Sequence, residues 1–167
     1  MISYSHSPRF KGWLQPPIQY KKYWFRPHIL KGILLVQDRS TFNSRPDDIM
    51  LATKSKCGTA WLKALAFTIA NRSHYSFANH PLLTRNPQHV MPFIEIPGAG
   101  IDHTAIEGHP SPRLLATYIL VSLHPPLDEG CRIVYLCRDP KDALVSRLHF
   151  ENKAYDGFNF VDGQGFQ

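Results

Sequence analysis

Two lysines, a glycine and a threonine fall within one short stretch, Lys54-Ser55-Lys56-Cys57-Gly58-Thr59. Cations next to a residue with free backbone angles can gather positive charge and N–H groups at one point, which is what a phosphate or similar oxyanion needs. The order is not that of the nucleotide loop GxxxxGK[ST]: no glycine leads, and Lys56 precedes Gly58. Taken alone, such a loop is more often an ordinary strand-to-helix connection than an anion site.

The flanking residues would position it. Ile49-Met50-Leu51-Ala52, bounded by Pro46-Asp47-Asp48, reads as a short buried parallel strand. From Ala60 onward, Trp61, Leu62, Leu65, Ala66, Ile69 and Ala70 recur on one stripe, which predicts an amphipathic helix. Arg113 to Ile119 and Cys131 to Cys137 read as two more strands. After the latter, Asp139 suits an N-cap, Pro140 the first helical position and Asp142 the acidic first turn, with Ala143, Leu144, Leu148 and Phe150 as the apolar side. Strands joined by helical or long connections imply an α/β fold with a doubly wound parallel sheet. Ligands of such sheets sit beyond the carboxyl ends of the strands, where Lys56, Tyr118 and Arg138 would converge.

The remainder is read more briefly. Residues 1–19 are polar and proline-bearing and are expected to form a flexible arm. Tyr20, Tyr23, Trp24 and Phe25 are expected in the core, and Pro27 opens a helix carrying Ile29, Leu30, Ile33, Leu34 and Val36. His80 to Pro112 holds six prolines and three glycines, which argues against long regular structure there. Its histidines, His80, His89, His103 and His109, are not at metal-ligand spacing, and no metal is expected.

At 167 residues and 43% hydrophobic, the chain suits one compact domain. No stretch is apolar enough for a membrane helix, Met1 to His6 lacks a secretory core, and three cysteines suggest reduced thiols, so the expected location is cytoplasmic. The net charge of +6 comes from scattered residues without a dense basic block, which argues against nucleic acid and leaves room for a phosphate-rich small ligand.

The wording of the loop adds more. LATKSKCGTAWLKAL resembles the signature LATxPKSGTTWLKAL, or KCGTTWLKAL, of the cytosolic sulfotransferases, especially the plant soluble type. HPLLTRNPQHVMPFIE (His80 to Glu95), PRLLATY (Pro112 to Tyr118) and CRIVYLCRDPKDALVSRLHFENK (Cys131 to Lys153) continue the likeness, which covers about Tyr20 to Lys153. The resemblance implies a P-loop NTPase-like sulfotransferase fold. It also implies 3′-phosphoadenylyl sulfate as donor and a small hydroxylated acceptor: a flavonoid, a steroid, or another phenol or alcohol.

By the same resemblance, Lys56, Cys57, Gly58, Thr59, Ala60 and Trp61 would hold the 5′-phosphosulfate. Lys56 would also stabilise charge developing on the bridging oxygen. Arg138 and Ser146 match the pair that grips the 3′-phosphate.

Four positions depart from the pattern. Cys57 stands for Ser and keeps the backbone donor. Ser55 stands for Pro and loosens the turn. Ala60 stands for Thr, removing a side-chain hydrogen bond to phosphate worth roughly 1.5–3 kcal/mol. Tyr118 stands where the family carries the His that acts as general base. A phenol with a pKa near ~10 is mostly protonated at neutral pH, and loss of a base typically costs about 10²–10⁴ in rate. His124 has no motif support as a substitute, and His149 reads as structural.

After Lys153 the chain departs from the family and stops. The expectation is therefore a C-terminally truncated domain, with residues 20–153 a partial sulfotransferase domain and 154–167 a divergent tail. Uncovered apolar surface on the sheet would invite self-association. The alternative to a working sulfotransferase is a catalytically impaired remnant that binds nucleotide or a partner.

Overall fold

The computed structural model describes residues 2–3, 16–96 and 106–162. Two short strands, β1 (Ile2–Ser3) and β2 (Ile18–Tyr20), precede β3 (Tyr23–Phe25) and the helix α1 (Pro27–Gln37). Then follow β4 (Ile49–Thr53), α2 (Thr59–Ala70), a 3-10 turn at Pro81–Leu83, α3 (Pro87–Val90), β5 (Leu114–Thr117), a 3-10 turn at Val121–Leu123, β6 (Arg132–Leu136) and α4 (Pro140–Asp162).

The strands β4, β5 and β6 form one parallel sheet in the order β5-β4-β6, with Leu51 opposite Ala116 on one side and Val134 on the other. Because the strands are parallel, the carboxyl ends at Thr53, Thr117 and Leu136 share one edge. Strand alternation divides the core in two. Met50 and Leu115 pack with Ile33, Val36 and Phe42 on the α1 side. Leu51 and Ala116 pack with Met91 and Phe93, against Leu62, Ala66 and Phe67 of α2. Each fully buried Leu, Ile or Met in these layers contributes about 1.5–3 kcal/mol.

The amino ends are held differently, by a buried ion pair. Arg113, just before β5, donates from Nε and Nη2 to the two carboxylate oxygens of Asp48, just before β4. The Asp48 carbonyl accepts the N–H of Arg132, and the Arg113 carbonyl accepts the N–H of Ile49. Three strands are thereby gathered at the end opposite the loop.

Several expectations need adjustment. The arm assigned to residues 1–19 includes β1 and the start of β2, which pair with each other, while residues 4–15 lie outside the described residues. The aromatic cluster forms a hairpin: Tyr23 and Phe25 pack on the α1-side core, and Trp24 is exposed. Residues 154–162 of the presumed tail continue α4, and 163–167 lie outside the described residues.

Only part of the expected stripe on α2 is its packing face: Leu62 and Ala66 pack, and Trp61, Leu65 and Ile69 do not. Trp61 is 77% exposed, Leu65 55% and Ile69 60%, whereas Leu62, Ala66, Phe67 and the fully buried Lys63 face the sheet. The helix turns its Leu62–Ala66 line inward because Met91 and Phe93, brought alongside β5 by the bonds of Ile94 and Ala116, fill that side. Ile133, Val134 and Tyr135 of β6 and Leu144, Leu148 and Phe150 of α4 are also exposed. Among the described residues no helix is long and apolar enough to cross a membrane.

Candidate functional site

The loop between β4 and α2 lies at the carboxyl edge of the sheet. The Cys57 N–H donates to the Lys54 carbonyl at 3.1 Å, closing a tight turn. Lys56 has φ 68° and Gly58 φ 94°, so the chain passes twice through the left-handed region. That region costs an L-residue about 1–2 kcal/mol and glycine little. Gly58 occupies the N-cap of α2 and offers no side-chain cap. The first-turn N–H groups of a 12-residue helix thus meet no capping oxygen at that position, and they carry the positive end of its dipole.

Thr53 and Thr59 hydroxyls lie 2.8 Å apart, tying the end of β4 to the first turn of α2. The Lys56 ammonium rests over the Phe150 ring of α4, 4.3 Å from its centroid. An uncapped helix start with a neighbouring ammonium fits an anionic oxygen group.

Tyr118 follows β5 on the α2 side. Its ring packs on Phe93 at a 4.5 Å centroid distance. Its backbone N–H donates to Glu95 Oε1 at 2.6 Å. Burial pushes its phenol above the ordinary tyrosine value; a hydrogen bond with Thr59 opposes this, and Glu95 and Cys57 reinforce it. The phenol therefore stays protonated at neutral pH and sits beside the loop.

The chain order did not reveal two buried ionisable groups in this region. Glu95 is 1% exposed, and its Oε2 has no hydrogen-bond partner. Burial pushes its carboxyl up to about 7, against the Tyr118 N–H, the Thr117 hydroxyl and Lys63. Lys63 donates to Gln88 Oε1 at 2.6 Å and to the Met91 carbonyl at 2.9 Å, with its ammonium over the Phe93 ring. Burial brings it down to about 7, with the Glu95 charge opposing. The signals were present: Glu95 is the only acid in the apolar run Val90 to Ile96, and Lys63 interrupts the packed side of α2.

The remaining expected residues are placed as follows. Lys56, Cys57, Gly58 and Thr59 come together, with Tyr118 against Thr59 and Cys57. Ala60 and Trp61 are exposed on the first turn of α2. Arg138 lies just past the carboxyl end of β6, exposed, its guanidinium 3.5 Å from Asp142. Ser146 is half-buried on α4, which Asp139 caps by accepting the Lys141 N–H at 2.8 Å. No bond joins the Arg138 and Ser146 side chains among those the described residues make. His124 is half-buried with both ring nitrogens shielded from solvent, and burial lowers its basicity against a backbone interaction with Pro125. Among the described residues, no group of three or more His, Cys, Asp or Glu side chains could hold a metal ion.

Comparison with known proteins bears on this edge. Residues 46–163 match the sulfotransferase domain model, a span that includes the loop, Tyr118 and α4. Cytosolic sulfotransferase 12 of Arabidopsis thaliana is 42% identical over 161 residues, covering 89% of this chain and 47% of the relative. An Arabidopsis thaliana protein solved as a candidate steroid sulphotransferase superposes with a TM-score of 0.72 at 40% identity, covering 90% of this chain and 55% of that one. A mouse sulfotransferase solved with PAP shares the fold, with a TM-score of 0.55 at 22% identity over 82% of this chain and 44% of that one. The chain spans about half the length of these relatives. With most of its length under the family model, and with the parallel sheet and loop that go with it, the chain belongs to the sulfotransferase domain family.

Proposed function

We infer that this chain binds 3′-phosphoadenylyl sulfate at the Lys56–Trp61 loop and serves transfer of its sulfuryl group to a hydroxyl of a small acceptor. The observation that carries the reading is the left-handed Gly58 at the start of α2, which leaves the first turn uncapped beside Lys56. The PAP in the mouse sulfotransferase points to the same ligand class. A cytosolic location accords with the name of the Arabidopsis relative.

When bound, the donor supplies an activated sulfuryl group on a phosphosulfate. The chain's own residues do the rest. First-turn N–H groups of α2 and the Lys56 ammonium would hold the phosphosulfate end, Lys56 leaving Phe150 to do so. Arg138, by exchanging Asp142 for a phosphate, and Ser146 would hold the 3′-phosphate. Glu95 fixes the backbone of position 118. A second reading, nucleotide binding with impaired turnover, is favoured by the protonated Tyr118 at the base position.

Calorimetric titration with 3′,5′-adenosine bisphosphate tests the reading. Saturable binding, weakened at least about tenfold by Lys56→Ala and by Arg138→Ala, is expected, since each removes a charge-assisted contact of about 1.5–3 kcal/mol. A folded chain that does not bind would overturn the assignment.

A further inference from the structure

Strand β6 stands at the edge of the parallel sheet, with β4 on one side only. The Arg132 N–H donates to the Asp48 carbonyl at 2.8 Å, so Arg132, Val134 and Leu136 turn their backbone groups towards β4. The N–H and C=O groups of Ile133 and Tyr135 therefore point outward, and among the described residues no other strand takes them up. The side chains are uncovered too, on both faces of the sheet: Ile133 is 52% exposed, Val134 42% and Tyr135 64%. A β-branched and aromatic strand whose one charge is Arg132, and which has no proline, lacks the usual guards against edge pairing.

The next element repeats the pattern. Helix α4 begins three residues after β6 and exposes Leu144, Val145 and Leu148 on the line opposite the half-buried Ala143 and Ser146. That stripe enlarges the apolar surface left uncovered after β4 is paired.

We propose that the β6 edge is the seat of a homodimer: a second copy pairs with it antiparallel, Val134 on the two-fold axis, joining two three-stranded sheets into one. Two identical edges related by a two-fold axis exchange hydrogen bonds only when antiparallel, because opposite residues of a parallel pair are not equivalent. Centred on Val134, Ile133 faces Tyr135 of the second copy, and each donates its outward N–H to the other's carbonyl; the symmetric pair does the same. Val134 meets its own counterpart at the close, non-hydrogen-bonded position, and Arg132 meets Leu136. Aromatic against β-branched and Val against Val are favourable pairs, and no like charges are opposed. Centring on Tyr135 would set Arg132 against Arg138 of the other copy, and centring on Ile133 would leave Leu136 outside the ladder. The strand is thus complementary to itself in one register, which favours a second copy over an unrelated chain. The pairing holds whether or not the loop binds nucleotide.

Sedimentation of the full chain from about 1 to about 200 μM is expected to show a reversible monomer–dimer equilibrium, as fits an interface below the ~800 Å² per partner of a stable complex. Amide exchange at Ile133 and Tyr135 should slow at least about tenfold across that range, while Val134, already bonded to β4, stays unchanged. Val134→Lys sets like charges opposite each other and should weaken the dimer at least about tenfold. Ile133→Glu and Tyr135→Lys should each weaken it similarly, and the double variant should recover most of the loss, because Glu then faces Lys of the other copy twice. That recovery keeps the test decisive should Val134→Lys fail to fold. A chain that stays monomeric, a dimer indifferent to these changes, or growth beyond two copies would overturn the proposal. So would a monomer that instead forms a one-to-one complex with the unmatched remainder of the Arabidopsis relative, supplied as a separate chain.

Discussion

The Arg113 guanidinium meets the Asp48 carboxylate fork to fork, Nε to Oδ1 at 2.8 Å and Nη2 to Oδ2 at 2.6 Å, with both side chains fully buried. The remaining donors are also used: Nη1 reaches Glu107 at 2.9 Å, and Nη2 reaches the Asn43 carbonyl at 2.7 Å. Oδ2 of Asp48 further accepts the Arg45 N–H at 2.7 Å. Removing one partner strands a charge in the interior. Asp48→Asn and Arg113→Met should each destabilise by about 3–5 kcal/mol, and the double variant by clearly less than their sum. Urea unfolding of the four chains measures this; additive losses would mean that the two side chains act independently.

Glu95 predicts an unusual pH dependence. Its ordinary value of 4.5 is raised to about 7 by burial, so between these values the folded chain holds a proton that the unfolded chain releases. Stability should therefore fall as pH rises from about 4.5 to 7. Lys63, lowered from 10.5 to about 7, acts in the other window: the unfolded chain binds the extra proton there, and stability recovers as pH rises above 7. Glu95→Gln should flatten the first limb by on the order of 1–3 kcal/mol and, by removing the charge that holds Lys63 up, make the second limb begin at lower pH. Unfolding midpoints between pH 4.5 and 10 decide the matter, and an unchanged acid limb would count against a buried, proton-holding Glu95.

The parallel sheet and the loop were legible because each rests on local chemistry: an apolar run closed by Pro46-Asp47-Asp48, and Gly58 where a left-handed residue stands at a helix start. Asp139 and Pro140 announced α4 for the same reason. The packing face of α2 was legible only in part, since the expected stripe held Leu62 and Ala66, which pack, together with residues that do not. Trp61, Leu65 and Ile69 form as regular a stripe as Leu62 and Ala66, and only Met91 and Phe93, some 25 residues later, determine which line turns inward. Lys63 was hidden likewise, since its partners Gln88 and Met91 belong to an irregular segment with no period of its own. Asp48 and Arg113 are 65 residues apart, a pairing that no local pattern encodes.

Lys56 and Gly58 share positive φ but should respond oppositely to substitution. A Cβ at Gly58 would meet Leu136 Cδ2 at 3.5 Å, an ordinary contact, so the obstacle is backbone angle alone. Gly58→Ala should cost about 1–2 kcal/mol. At φ 68°, Lys56→Gly removes comparable strain but frees the unfolded chain, for a net change within about 1 kcal/mol, while affinity for adenosine bisphosphate drops with the ammonium. Denaturant unfolding and calorimetry on the same two variants separate strain from charge. A large stability loss in Lys56→Gly would mean that its side chain supports the fold.

The contact of Lys56 with Phe150 makes the final prediction, because it gives the proposed phosphate-binding cation somewhere else to be. A cation over an exposed ring face is worth about 0.5–1 kcal/mol, which must be given up before the ammonium can turn to an anion. Phe150 is 58% exposed, so Leu in its place keeps apolar bulk on α4 without disturbing a packed core. Phe150→Leu should therefore tighten binding of adenosine bisphosphate by about 2–5-fold, the free energy of the lost contact. In a Lys56→Ala background the same substitution should change nothing, since there is no longer an ammonium to release. Calorimetry on the four chains gives the coupling directly. Weaker binding in Phe150→Leu would show instead that the ring helps to hold the ligand, making it part of the site rather than a resting place for Lys56.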